Sequence, residues 1–213
     1  QSDCAALRLV NVQSPHPRVP HSHLHVEEIG ARSVLVAQDG PPPTSYTLNP
    51  YIGCGLGCTC CYVTKFPHAR AKLWGRSVFV GSATDPYQYV ERQYRLTRRC
   101  LKVLAECNLR QITVQTRRHL ILEDLDQLRS FGERLSVGFS VPTDDDRIRK
   151  KLEPHAPRIA LRLRTMRTLK EAGVRVMAAV APVLYCDPSR FARFLRWAAD
   201  EVYGEFNLKV QFL

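Results

Sequence analysis

The sequence predicts an α/β fold built on parallel strands, and three observations carry that reading. From residue 44 onward, six β-branched runs alternate with amphipathic helical patterns. Cap and turn residues stand at the junctions between them. A dense cluster of cysteines follows the first run, at a strand end, where parallel α/β folds gather their chemistry. Alternation of this kind requires right-handed crossovers, which leaves a barrel, part of a barrel, or a doubly wound sheet.

The strand candidates in chain order are TSYTLNPYI (44–52), SVFVGSAT (77–84), QITVQT (111–116), RLSVGFSV (134–141), VRVMAAVAPV (174–183) and FNLKVQFL (206–213). Each is rich in residues that fit a pleated, half-buried surface. Ahead of the third run, Leu96, Cys100, Val103 and Leu104 recur at helical spacing. Ile159, Leu163, Met166 and Leu169 do the same before the fifth, and Phe191, Phe194, Leu195, Ala198 and Val202 mark the last helix. Asp187 before Pro188 forms an N-cap with proline in the first helical position, Gly173 suits a C′ site, and Asn108 closes the helix before the third strand.

Residues 1–43 read as an extended leader: PHPRVPHSHLH and DGPPPTS carry Pro and His without periodicity, and residues 44–213 form the folded domain. At 213 residues a single core suffices. No apolar run reaches the ~18 residues of a membrane span, which excludes a spanning helix. The first residues lack the pattern of a secretory signal, and the chain begins with Gln1 rather than Met, so it reads as a fragment. Lys and Arg number 31 against 20 Asp and Glu, a formal charge of +11 that favours polyanionic partners, nucleic acid among them. The bland reading of the same charge is solvation, by helix-face arginines such as Arg158, Arg162, Arg164 and Arg167.

The stretch NPYIGCGLGCTCCYV, residues 49–63, holds four of the eight cysteines. Adjacent Cys60 and Cys61 are ill placed for two unstrained disulfides, so metal ligation in a reducing cytosol is the better account and the expected location is cytoplasmic. Cys54, Cys58 and Cys61 give CxxxCxxC. Thiolates select zinc or iron-sulfur clusters. A structural zinc needs four ligands, and Cys186, Cys107 or His68 would have to complete the set from a distance. A 4Fe-4S cluster on three cysteines leaves one iron open to a substrate or cofactor. Gly53, Gly55 and Gly57 suit the short links between such ligands.

In series, TLNPYIGCGLGCTCCYV, GSATDPYQYVERQYRLTRRCLKVL, HLILEDLDQL, SVGFSV and RLRTMRTLKEAGV with APV resemble the radical S-adenosylmethionine (SAM) enzymes, and within them the spore photoproduct lyase-like subfamily often labelled DNA repair photolyases. The likeness runs from about residue 46 to 185. It implies a partial (β/α)6 TIM-type barrel with the cluster loop after strand one. It also implies a 4Fe-4S cluster on Cys54, Cys58 and Cys61, with SAM chelating the open iron and Tyr62 flanking the loop. Positions matching the SAM contacts are Ser82, Thr84, Asp85, Arg117 and Ser140. Reductive cleavage of SAM to a 5′-deoxyadenosyl radical and an electron donor such as flavodoxin or ferredoxin follow from the same resemblance. The substrate and the residues acting on it stay unassigned.

Four departures from the family pattern stand out. Cys60 occupies a position that is commonly aromatic, and Ser82 aligns with the cysteine hydrogen donor of true spore photoproduct lyases. A serine O–H is a far stronger bond than a thiol S–H, which removes that relay and makes thymine-dimer reversal unexpected. The segment KFPHARAKLWGR is short and interrupted by Pro67, and the chain stops on the sixth strand. Two rival expectations are a basic nucleic-acid-binding module with a structural zinc and a degenerate member that keeps the fold without turnover.

Overall fold

The computed structural model describes residues 8–13, 25–30, 35–38, 45–52 and 75–204. Its framework is a seven-stranded sheet in the order β10-β9-β8-β7-β6-β4-β3. The strands are β3 (Leu35–Ala37), β4 (Ser45–Leu48), β6 (Ser77–Val80), β7 (Gln111–Thr116), β8 (Leu135–Ser140), β9 (Arg175–Val180) and β10 (Glu201–Gly204). All adjacent pairs from β4 to β10 are parallel, and β3 runs antiparallel along the free edge of β4, with Leu35 opposite Leu48. An α/β fold with a mostly parallel sheet is therefore the architecture, as the alternation predicts.

The pleat sorts the side chains. Val78 and Val80, Ile112 and Val114, Val137 and Phe139, and Val176, Ala178 and Val180 are buried in one apolar cluster. That cluster also takes in Leu101 and Leu104 of α2 (Leu96–Glu106), Leu128 of α3 (Leu125–Ser130), Met166 and Leu169 of α5 (Ile159–Glu171) and Leu195 of α6 (Pro188–Ala198). The alternate positions fall on the opposite face. In register they run Phe79, Thr113 and Ser136, then Gln115, Gly138 and Met177, then Ser140 and Ala179. This face mixes polar and small residues with Phe79 and Met177, where the helix-covered face is uniformly apolar.

Local signals place the helices. Asp187 accepts the Arg190 N–H at 2.9 Å and Pro188 follows it, so α6 starts where the Asp-Pro pair predicts. Gly173 stands past the end of α5 at φ +81°, a conformation that suits glycine at this site. Two further helices, α1 (Glu91–Tyr94) and α4 (Asp146–Leu152), fill the connections after β6 and β8.

Several boundaries differ from the sequence expectation. The predicted first strand divides: Ser45–Leu48 joins the large sheet, whereas β5 (Tyr51–Ile52) pairs in parallel with β1 (Arg8–Gln13), which is antiparallel to β2 (His25–Gly30). Strand pairing thus occurs inside the stretch read as an extended leader. The second strand ends at Val80, because Gly81 turns the chain. The last helix ends at Ala198 rather than reaching Val202. Asp200 anchors the start of β10 there, its N–H donating to Val176 O and its carboxylate accepting the Val176 N–H, each at 2.8 Å. Val202 lies on β10 and is exposed, and on α2 it is Leu101 rather than Val103 that enters the core. The candidate strand 206–213, the first crossover and the cysteine loop lie outside the described residues.

Candidate functional site

Because its strands are parallel, the sheet brings the ends of β4, β6, β7 and β8 out on one edge. The loop after β6 is fastened to the end of β4 by one side chain. Asn49 Oδ1 accepts the Ala83 N–H at 2.9 Å and the Thr84 N–H at 3.3 Å, and Asn49 Nδ2 donates to Ser82 Oγ at 3.1 Å. Gly81 N–H donates to Leu48 O at 2.9 Å, and the Thr84 hydroxyl donates to Tyr51 O at 3.1 Å. Ser82 and Thr84 are therefore packed against the segment that leads into the cysteines.

Asp85 is buried and its carboxylate is fully engaged. One oxygen accepts the Tyr87 N–H at 2.9 Å and the Thr116 hydroxyl at 2.7 Å, and the other accepts the Arg117 N–H at 2.8 Å. It works as a strut between the β6 loop and the end of β7. Arg117 Nε donates to Glu153 at 2.9 Å, and the second Glu153 oxygen accepts Arg162 Nη2 at 2.6 Å. Arg162 Nη1 then donates to the Ser140 carbonyl at 2.8 Å. A buried relay of charge-assisted bonds thus ties Arg117 to Ser140.

The five described positions expected to contact SAM are thereby linked at one edge of the sheet. Cys54, Cys58, Cys61 and Tyr62 lie outside the described residues. Sequence reasoning missed Asn49, Tyr51, Glu91, Glu153 and Arg162. Arg162 was grouped with solvated helix-face arginines, yet its side chain and that of Glu153 are both 0% exposed. Glu153 stands just past the end of α4, where no periodicity distinguishes a buried carboxylate from a surface one.

Tyr51 and Glu91 secure the approach to the cysteine loop. The Tyr51 hydroxyl donates to Glu91, whose carboxylate also accepts the Thr97 and Arg98 N–H groups at 3.1 Å each. Arg95, at the N-cap of α2, sits at φ +53° and gives no side-chain cap, so Glu91 caps this helix from outside it. Burial, as the main cause, raises the Glu91 carboxyl above its ordinary 4.5 despite these bonds, and burial together with Glu91 raises the Tyr51 phenol.

A raised folded-state value means that stability is fully present below pH 4.5 and is lost as pH rises through the folded value. E91Q is accordingly expected to lose that dependence. Urea unfolding from pH 4.5 to 7.5 should show the wild type weakening relative to E91Q as pH rises. Parallel profiles would count against the assignment.

The described cysteines do not assemble a metal site: no group of three metal-ligating side chains occurs among the described residues. Cys100 is buried, its thiol pushed up to about 12 by burial and then by Glu91. Cys107 precedes β7 at the amino end of the sheet, while Cys186 follows β9 at the carboxyl end. Near Cys186, a groove of about 410 Å³ is lined by Asp144, Arg147, Tyr185 and Arg190 among others. Among the described residues no helix is long and apolar enough to cross a membrane.

No family model matches the chain. An uncharacterized protein of Methanocaldococcus jannaschii is 24% identical over 168 residues, covering 67% of this chain and 62% of its own. An uncharacterized protein of Acidianus two-tailed virus is 28% identical over 170 residues, with coverages of 65% and 56%. One of Mycobacterium tuberculosis is 26% identical over 172 residues, with coverages of 67% and 50%. The chain thus spans between half and about three fifths of the length of these relatives. Among solved structures, a variant of spore photoproduct lyase with dinucleoside spore photoproduct matches with a TM-score of 0.53 at 17% identity, over 68% of this chain and 49% of that one. At that level the likeness is one of fold.

Proposed function

We propose that this chain is a radical SAM enzyme, spore photoproduct lyase-like in fold, with its parallel strands forming a partial (β/α)6 barrel. The observation that carries the reading is a juxtaposition. The segment entering CxxxCxxC is bonded through Tyr51 O to the loop bearing Ser82, Thr84 and Asp85, on the strand-end edge that also carries Arg117 and Ser140. The fold shared with spore photoproduct lyase adds support.

The donor set suits the group: three thiolates at this spacing fit a 4Fe-4S cluster with one iron left for SAM. Cys54, Cys58 and Cys61 would hold the cluster. When bound, it supplies the electron for reductive cleavage of SAM to a 5′-deoxyadenosyl radical, delivered from a donor such as flavodoxin or ferredoxin. The chain's own work is positioning. Ser82 and Thr84 lie on the loop after β6, their hydroxyls bonded to Asn49 and to Tyr51 O in the segment entering the cysteines, and Ser140 lies at the end of β8. Asp85 fixes the backbone at Arg117, whose guanidinium is set to balance the SAM carboxylate while anchored by Glu153. Ser82, in place of a thiol hydrogen donor, directs the chemistry away from thymine-dimer reversal. The positive charge favours a polyanionic substrate, and nucleic acid is the class we propose.

Anaerobic reconstitution tests the reading. The wild type is expected to take up about four irons and four sulfides per chain and release 5′-deoxyadenosine on reduction with SAM. C54A is expected to lose both. A colourless protein that takes only zinc would reject the proposal.

A further inference from the structure

Helices α5 and α6 lie side by side, and their contacts advance in step. Arg167 Nη1 donates to the Trp197 carbonyl at 3.2 Å with its guanidinium over the Trp197 ring, 5.8 Å from the centroid. One turn on, Lys170 Nζ donates to the Ala199 carbonyl at 2.6 Å. The two helices are therefore parallel, and the turn before Arg167 stands level with the turn before Trp197. Arg164 occupies the first of these positions and Arg193 the second, with Arg196 one turn beyond Arg193 on the same helix. A row of cations thus flanks one indole along the seam between the helices.

These groups are open and uncommitted. Arg164, Arg193 and Arg196 are exposed, and none has an ion-pair partner among the described residues. Trp197 is 48% exposed, so its ring is accessible despite the guanidinium over it. The acids of this region are engaged elsewhere: Glu171 with Arg167, Asp200 with Lys170, Asp144 with Arg190, and Asp187 as the cap of α6. Near the start of α5, Arg162 donates to the Ser140 carbonyl, which sets the upper end of the seam at the strand-end edge.

We propose that the α5–α6 seam binds single-stranded nucleic acid, with the Trp197 ring stacking on a base while Arg164, Arg193 and Arg196 meet phosphates. A positive track beside an open aromatic face fits an unpaired strand, which offers bare base faces and regular charge together. A duplex keeps its bases stacked inside, out of reach of the indole. The inference rests on the nucleic-acid class proposed above for the substrate, and gives that class a surface leading toward the edge that carries Ser140. It does not involve the cysteines.

The test uses the full chain. Anisotropy of a fluorescein-labelled oligothymidylate gives the affinity, and in W74F Trp197 is the sole tryptophan, so its emission reports stacking directly. The oligonucleotide is expected to quench that emission saturably, with affinity falling as salt rises. On a single strand the salt slope changes by about 0.7 per phosphate contact, so R164Q/R193Q/R196Q should lower it by about 2. W197L should weaken binding about tenfold with the slope unchanged, whereas W197F, which keeps a ring to stack, should stay within about threefold of wild type. R99Q/K102Q/R110Q removes the same charge from α2 and the approach to β7, and should leave the slope as it is.

Absence of saturable quenching would overturn the seam. An equal loss of slope in both triple variants would also do so, by reducing the effect to net charge, as would tighter binding of a hairpin duplex or of phosphatidylserine vesicles than of the oligothymidylate. Binding needs no cluster, so C54A is expected to hold the strand as the wild type does. Release of 5′-deoxyadenosine without binding at the seam would sink this inference alone, and seam binding by a protein that takes only zinc would sink the radical SAM reading alone.

Discussion

E153A is expected to cost about 3–5 kcal/mol of folding stability, and roughly 10 °C of thermal midpoint in a chain of this size. The magnitude follows from what would be stranded. Glu153 and Arg162 have side chains that are 0% exposed, and their 2.6 Å contact is joined by Arg117 at 2.9 Å. Without the carboxylate, Arg162 keeps the carbonyls of Pro157 and Ser140 as acceptors and loses the carboxylate it shares with Arg117. A buried guanidinium cannot shed its proton at any ordinary pH, so the full desolvation cost remains. E153Q retains one acceptor and should fall between wild type and E153A. The double variant E153L/R162M removes both charges and is expected to recover much of the loss, since a buried ion pair often breaks even with a well-packed apolar pair. Urea unfolding of the four proteins checks the order. A loss below about 1 kcal/mol for E153A would mean that the relay contributes little.

G81A is expected to be nearly as damaging, by about 2–4 kcal/mol, through steric conflict added to backbone strain. Gly81 lies at φ +91°, and a Cβ there would sit 2.5 Å from Gln115 O and 2.6 Å from Pro86 Cδ. One obstacle is backbone and the other a proline ring, so neither yields cheaply. G75A provides the control, because φ is +65° there but a Cβ would meet nothing within 4 Å. It should show the conformational part alone, about 1 kcal/mol. The excess for G81A falls on the loop that carries Ser82, Thr84 and Asp85, so SAM affinity of the reconstituted protein should drop with stability in G81A and stay unchanged in G75A. Equal losses in the two variants would remove the steric argument.

The legible parts of the fold were those where pattern and burial coincide. QITVQT reads as a strand and is one from Gln111 to Thr116, because its alternation is uninterrupted and its neighbours cover one face. The Asp-Pro start of α6 and the glycine after α5 were equally plain, each resting on a single local requirement. Val202 misled because its spacing continues the apolar row of α6, whereas Asp200 commits the chain to an edge strand through contacts with Val176 that no local signal announces. TSYTLNPYI read as one strand because β propensity is continuous across it. Asn49 interrupts the ladder by turning its amide to the β6 loop, a long-range choice.

The candidate site divides along the same line. Ser82, Thr84, Asp85, Arg117 and Ser140 were named because they match the family pattern, and the structure sets them at or just after the ends of β6, β7 and β8. Glu153 and Arg162 were not, because a buried charge and a solvated one have the same letter and differ only in tertiary surroundings.

The bond from Tyr51 to Glu91 has a mechanical consequence. One carboxylate clamps the chain three residues before Cys54 and, with its remaining capacity, the opening turn of α2. Arg98 in that turn grips Asp124, which also receives the Tyr87 hydroxyl at 3.0 Å. A tug on the polypeptide entering the thiol-bearing stretch is therefore felt at the amide protons of Thr97 and Arg98 and passed on toward the turn ahead of α3. Cysteine approach, helix and turn behave as a single lever with Glu91 at its pivot.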